Sequence, residues 1–202
     1  MKTEKIALFD LDGSLADFDG AMRRDLRRMR FPGEPEIADD TNLHDLEDRF
    51  AYIKARMDFI KSKRGWWRQL PRIDSGFDIV SKAQSIGYHI DILTKAPRKQ
   101  PQAWMEKVEW CEVQPELAHA DIHLAMNKGL VYGKLLFDDY PDFMTQWLRH
   151  RPRGLGIMPV TPYNADYRHP NVVKFDGTNV GAVVSAMQIA YDRDEKEPLL
   201  LS

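Results

Sequence analysis

The sequence predicts an α/β fold: a doubly wound parallel sheet carrying a small helical cap inserted after the first strand. Three observations predict it. From Ser75 onward, short apolar runs of strand character alternate with stretches of helical spacing. Three apolar runs end on polar residues: Ile6-Ala7-Leu8-Phe9 leads into Asp10, Ile90-Asp91-Ile92-Leu93 into Thr94, and Leu135-Leu136-Phe137 into Asp138-Asp139. The stretch between the first two runs is far longer than the roughly dozen residues that a crossover between parallel strands needs. In an open parallel sheet the carboxyl ends of neighbouring strands lie about 4.8 Å apart along one edge, so the three polar ends can converge on one small ligand.

Taken in order, the first strand is Ile6 to Phe9, and the insertion follows it. Phe18, Met22, Leu26 and Met29 recur at helical spacing, with Arg23, Arg24, Arg27 and Arg28 on the other faces. Leu43, Leu46, Phe50, Ile53, Met57 and Ile60 then alternate steps of three and four, which predicts one further helix packed along a single seam. Pro32, Gly33 and Pro35 break the chain between the two. The division expected is a core of residues 1–16 and 74–192, a helical cap over 17–73 and a charged, frayed tail over 193–202. The core continues with a helix near Phe77 to Ser85, a strand from Tyr88 to Leu93 and a helix near Pro101 to Trp110. Strands follow at Ile122–Ala125, Lys134–Phe137, Leu155–Met158 and Val172–Phe175, with helices near Asp142–His150 and Val180–Tyr191.

Composition narrows the class. The chain has 202 residues, 43% of them hydrophobic and 30% charged, as in an ordinary soluble globule. A net charge of -2 offers no general attraction to nucleic acid or an anionic membrane, so phosphate binding has to be local. Cys111 is the sole cysteine, which excludes an internal disulfide. No apolar stretch approaches the roughly 20 residues of a membrane span, and the start through Lys5 lacks a signal peptide's apolar region, so a cytoplasmic location is expected.

The chemistry follows from the strand ends. Asp10-Leu11-Asp12-Gly13-Ser14 sets two carboxylates two positions apart, where extended chain points them the same way, and then a glycine for a sharp turn. An aspartate beside a divalent cation can attack a phosphoryl group and become an aspartyl phosphate, and Asp10 is the expected nucleophile. Asp12, if neutral at the first step, can protonate the leaving oxygen and then take a proton from water, while its carbonyl stays free for a metal. Asp138 and Asp139 add hard oxygen ligands that suit Mg²⁺ better than zinc. Thr94 can donate its hydroxyl to a phosphate oxygen, with Lys95 adding charge at the same turn. Lys128 is the lysine expected to neutralise the phosphate; Lys134, its rival, starts a strand and would be carried to the opposite edge of the sheet.

These residues carry a resemblance. DLDGSLADF, the LTKAP turn and NKGLVYGKLLFDDYPD resemble the first, second, and combined third and fourth motifs of the haloacid dehalogenase superfamily, and within it the 5'(3')-deoxyribonucleotidase family. The likeness runs from Ile6 to about Asn164, strong in the motifs and thin in the cap. It implies a Rossmann-like core, Asp10 as phosphorylated nucleophile and Asp12 as acid and base. It also implies Thr94 and Lys128 on the phosphate, and Mg²⁺ on Asp10, the Asp12 carbonyl and Asp139, with Asp138 helping to position it. Phe18 would belong to an apolar slot over the base or sugar. Two positions depart: Lys95 stands where the family usually has serine, and Tyr140 where it usually has arginine.

Trp66 and Trp67, between Arg64 and Arg68, can give an aromatic wall for a nucleobase or lock the cap onto the core. The Arg23 to Arg30 cluster reads as a solvated helix face, and the six histidines show no zinc-type spacing. Asn164, after the Leu155 to Met158 strand, falls near the site edge. The expected function is a Mg²⁺-dependent phosphomonoesterase acting on nucleoside monophosphates, by the resemblance 5'(3')-deoxyribonucleotides. The alternatives are a phosphatase for another small phosphoester or a polynucleotide 3'-phosphate end, and a catalytically silent binding protein. A small phosphomonoester is the expected partner, without a membrane or a stable nucleic-acid complex, and the reading admits a homodimer.

Overall fold

In a computed structural model that describes residues 5–95 and 97–194, one six-stranded sheet runs in the order β3-β2-β1-β4-β5-β6. Its strands are β1 (Ile6–Phe9), β2 (His89–Thr94), β3 (Asp121–Leu124), β4 (Leu135–Phe137), β5 (Leu155–Pro159) and β6 (Val172–Phe175). Each neighbouring pair is parallel, as the alternation of strands and helices predicts. The expected start through Glu4 and the tail from 195 onward lie outside the described residues. Among the described residues, no helix is long and apolar enough to cross a membrane.

The central strands β1 and β4 read as unbroken apolar runs because both of their faces are buried, whereas the edge strands β3 and β6 are only partly buried and carry polar residues. Ala7 and Phe9 of β1, Ile90 and Ile92 of β2, and Leu135 and Phe137 of β4 face one core, where Phe9 and Phe137 meet with ring centroids 5.3 Å apart. Leu8, Leu93, Leu136 and Met158 face a smaller one with Met144, Trp147 and Leu148. Those last three belong to α6 (Pro141–His150), while α4 (Asp74–Ile86), α5 (Pro101–Glu112) and α7 (Val180–Asp192) bury their apolar stripes in the larger core. Proline opens α5 and α6, where a missing N–H costs nothing. Gly87, at a φ of 108°, closes α4 and returns the chain to β2.

Between β1 and α4 the insertion folds into α1 (Phe18–Arg28), α2 (Leu43–Arg49) and α3 (Ala51–Ser62). Asp17 caps α1 by accepting the Gly20 N–H at 2.8 Å. The single helix expected over Leu43 to Ile60 is two, because Phe50 is extended at φ −133° and ψ 103°. Apolar spacing does not register this break, and it costs little backbone bonding: the Phe50 N–H still reaches Leu46 O, and Phe50 O accepts from Ile53 and Lys54. The arginine face of α1 also differs from expectation. Arg23 is buried, donating to Thr41 O and Asp19, and Arg27 donates to Ile37 O, so both tie down the loop that follows the helix.

Entry and exit of the insertion lie side by side. Asp17 N–H donates to Pro71 O at 2.7 Å and Ile73 N–H to Leu15 O at 2.7 Å. Its last stretch before the exit is held by α5: the buried Glu106 carboxylate accepts the Gly65 N–H at 2.6 Å and the Trp67 N–H at 3.1 Å, and Trp110 Nε1 donates to Leu70 O at 2.8 Å. Glu106→Ala orphans two buried amides, and a loss of about 2 kcal/mol is expected, lowering the thermal midpoint by roughly 4–8 °C. A midpoint within about 1 °C of wild type, read by circular dichroism, contradicts this account of the anchor.

Candidate active site

The strand order reverses between β1 and β4, which opens a crevice beyond their carboxyl ends. Phe9 is level with Phe137 in the register, so Asp10 and Asp138 leave adjacent strands at the same height. The ladder continues one step past the strands, with Asp10 N–H on Phe137 O at 2.9 Å and Asp138 N–H on Ile157 O at 3.1 Å. Asp10, Asp138 and Asp139 are all buried, and each offers an oxygen within 4.8 Å of the others.

Lys128 answers part of that charge. It sits in the turn before β4, is fully buried, and places Nζ 2.8 Å from Asp10 Oδ1 and 2.6 Å from Asp138 Oδ2. Burial alone would lower its pKa, but the two carboxylates outweigh burial and hold it above the ordinary lysine value. Burial raises the Asp138 pKa, against the pull of Lys128. Burial also raises that of Asp139 well above the ordinary value, reinforced by Asp138 and Asp10. With all three carboxylates ionised, the one ammonium would leave about two negative charges without a countercharge, so a divalent cation is what would let Asp138 and Asp139 stay ionised despite their burial.

The loop after Asp10 turns on Gly13, at a φ of 76°, and a Cβ there would stand 2.2 Å from Asp139 Oδ2. Only glycine allows the turn and the close approach together. Asp139 is also gripped from β5's end, where Tyr163 donates its hydroxyl to Oδ2 and Asn164 Nδ2 donates to the main-chain oxygen at 2.8 Å. Asp12 points to a different partner. Lys107 Nζ, from the middle of α5, lies 2.6 Å from Asp12 Oδ2, 3.0 Å from Thr94 Oγ1 and 2.7 Å from Lys95 O. Burial raises the Asp12 pKa, Lys107 lowers it, and Asp10 raises it again.

A cleft of about 310 Å³ opens over these groups. Asp10, Asp12, Gly13 and Asp139 form its floor, and two groups of aromatic rings line it. Phe18 stacks on Trp67 with centroids 5.5 Å apart. A second group, His44, Tyr140 and Tyr163, meets at 5.5 to 6.2 Å, with Phe143 also in the lining. Such a slot accommodates a flat ring, and Lys61 and Lys95 add cations among its lining residues.

The structure therefore gathers Asp10, Asp12, Thr94, Lys128, Asp138 and Asp139 at one sheet edge and sets Phe18, Trp67 and Lys95 around the cleft above. Trp66 is placed elsewhere: its Nε1 donates to Asp25 at 2.9 Å, and it meets Phe18 edge-on. Lys134 lies at the other end of the sheet, donating to Arg193 O at 2.9 Å. Sequence reasoning missed Lys107, Tyr163 and His44. Lys107 alone left a trace, since Glu106 and Lys107 interrupt the stripe that runs from Ala103 to Trp110, and charges on a buried stripe need partners.

Comparison with known proteins agrees with this architecture. A family described as 5' nucleotidase, deoxy (pyrimidine), cytosolic type C protein matches residues 4–174. No curated protein matches the sequence. Among solved structures, the magnesium-bound HAD-hydrolase YfnB from Bacillus subtilis superposes with a TM-score of 0.53 at 14% identity, over 90% of this chain and 98% of that one. A haloacid dehalogenase-like hydrolase from Burkholderia xenovorans LB400 gives 0.50 at 14% identity, over 90% and 95%. At such identities the likeness is one of fold.

Proposed function

The chain belongs to the family of cytosolic type C 5'-nucleotidases, deoxy (pyrimidine), phosphoric monoester hydrolases on a haloacid dehalogenase-type fold, and from that premise we propose that it hydrolyses deoxyribonucleoside monophosphates through a phosphorylated Asp10. The observation that carries this reading is the buried Asp10, Asp138 and Asp139 trio beneath a slot with aromatic walls. The floor suits a phosphate held through a cation, and the walls suit a base.

The charge deficit of the trio fits Mg²⁺, held by Asp10 and Asp139 with the Asp12 carbonyl, and Asp138 beside them. When bound, Mg²⁺ supplies the positive charge that lets a dianionic phosphate enter a carboxylate-lined floor. Everything else falls to the chain. Asp10 attacks phosphorus in line; Lys128, the expected phosphate ligand, also orients the attacking carboxylate from 2.8 Å with Asp138 at 2.6 Å, and its remaining N–H is the one proposed for a phosphate oxygen. Thr94 and Lys95 take phosphate oxygens at the β2 end. Asp12, whose burial favours its neutral form, gives a proton to the leaving nucleoside oxygen; it then takes one from the water that cleaves the acyl phosphate. Phe18, Trp67, His44, Tyr140 and Tyr163 supply the aromatic lining for the base.

The test is phosphate release from 5'- and 3'-deoxyribonucleotides, ribonucleotides, sugar phosphates and a 3'-phosphorylated oligonucleotide. Deoxyribonucleoside monophosphates are expected to lead by about tenfold in kcat/KM, with activity lost in EDTA and restored by Mg²⁺. A leading sugar phosphate or oligonucleotide end transfers the site to that substrate, and turnover that survives EDTA removes the metal from the scheme.

A further inference from the structure

We propose that Lys107 is a positioning residue for proton transfer, locking Asp12 so that one of its two oxygens is reserved for the leaving group. The inference rests on the reading of Asp12 as proton donor, and it concerns a side chain from the middle of α5, away from the strand-end motifs.

Lys107 is 2% exposed and projects from α5 toward the ends of β1 and β2. A lysine ammonium has three N–H donors and accepts nothing. All three find acceptors here: Asp12 Oδ2 at 2.6 Å, Thr94 Oγ1 at 3.0 Å and Lys95 O at 2.7 Å. The Trp67 ring lies over the same ammonium, 4.9 Å from centroid to Nζ. No donor is left for a substrate oxygen, so Lys107 acts through its neighbours.

Its effect on each neighbour is specific. By occupying Oδ2 of Asp12, it leaves Oδ1 as the oxygen that can carry the transferable proton, and Oδ1 is buried with no partner of its own. A carboxyl held at one oxygen cannot swing its proton away from the leaving group. At Thr94 the ammonium donates into a lone pair of Oγ1, whose own hydrogen points to Lys95 O over a long 3.5 Å and is the donor that a phosphate oxygen would take over. The third bond fixes the carbonyl of Lys95, and so the backbone of the turn that carries both phosphate-facing residues. One side chain thus ties the loop after β1 to the turn after β2.

The experiment compares two substrates whose leaving groups differ in their need for a proton. A nucleoside hydroxyl must be protonated as it departs, whereas p-nitrophenolate departs as an anion. In Lys107→Met, and in Lys107→Gln as a second variant that can still donate, kcat/KM is measured for a deoxyribonucleoside monophosphate and for p-nitrophenyl phosphate. This parameter reports the step that expels the leaving group. Both substrates share the phosphate held at the Thr94 and Lys95 turn, so Lys107→Met is expected to lose activity on each, but by about 100-fold on the nucleotide and at least about tenfold less than that on p-nitrophenyl phosphate, with Lys107→Gln between Met and wild type on the nucleotide. Activity on p-nitrophenyl phosphate also certifies the fold. Equal losses on both substrates, or none on either, overturn the assignment and leave Lys107 a structural tether. A wild-type protein that hydrolyses neither substrate overturns instead the function on which the assignment rests.

Discussion

Asp10→Asn is expected to leave a folded protein that releases no phosphate. The exchange is isosteric and keeps the Lys128 to Asp138 pair intact at 2.6 Å, so the buried cluster retains its strongest internal attraction. What it removes is the nucleophile, because an amide oxygen does not form the acyl phosphate on which the two-step route depends. Uncatalysed phosphomonoester hydrolysis is among the slowest reactions known, so no parallel path of comparable speed is available to the variant. A fall in kcat of at least about 10³-fold is expected, equivalent to about 4 kcal/mol of lost transition-state stabilisation. Near-normal turnover with Mg²⁺ would falsify Asp10 as nucleophile. A protein that retains its thermal midpoint and its affinity for the nucleotide while losing turnover is the signature sought.

How much of this site could be read from the chain depended on what kind of placement each residue needs. Residues placed by strand direction were legible. Asp10, Thr94 and Asp138 sit at carboxyl ends of apolar runs, and a parallel sheet brings such ends together whatever the loops do. The same rule separated Lys128 from Lys134, which donates to Arg193 O at the other end of the sheet. Residues placed by loop conformation were less so. Trp66 and Trp67 follow Gly65, whose φ of 85° sets their direction, and only the folded turn shows that one indole reaches Asp25 while the other lines the cleft. Phe50 breaks the expected helix although its spacing fits the seam, because the backbone bonds on either side survive the break. Partnerships across long sequence separations were hidden. Lys107 is 95 residues from Asp12, and Tyr163 reaches Asp139 from the far side of β5's end. A charged pair on the inner stripe of α5 signals that some partner exists, without saying which.

Lys128→Met is expected to cause the largest loss of stability. The lysine contributes the positive charge between Asp10 and Asp138, and an apolar side chain of similar length in the same space leaves those acids facing each other without it. Breaking a buried ion pair by removing one partner costs about 3–5 kcal/mol, and the thermal midpoint is expected to fall by roughly 10 °C. The direction of its pH dependence follows from the carboxyl groups that remain. Asp138 and Asp139 already have raised pKa values in the folded protein, burial being the leading cause, so their ionised forms oppose folding and their protonated forms do not. In the metal-free variant the deficit should therefore shrink as pH falls through the folded-state pKa values, and be greatest at alkaline pH. Mg²⁺ acts on the same excess charge, so it should raise the midpoint of Lys128→Met by more than it raises that of wild type. Thermal melts at pH 5 and pH 8, each with EDTA or with Mg²⁺, measure both effects. A deficit that does not change with pH or with the cation places the stabilising role of Lys128 in its cation–π contact with Phe143, whose ring centroid lies 4.6 Å from Nζ, and denies that it comes from the carboxylate cluster.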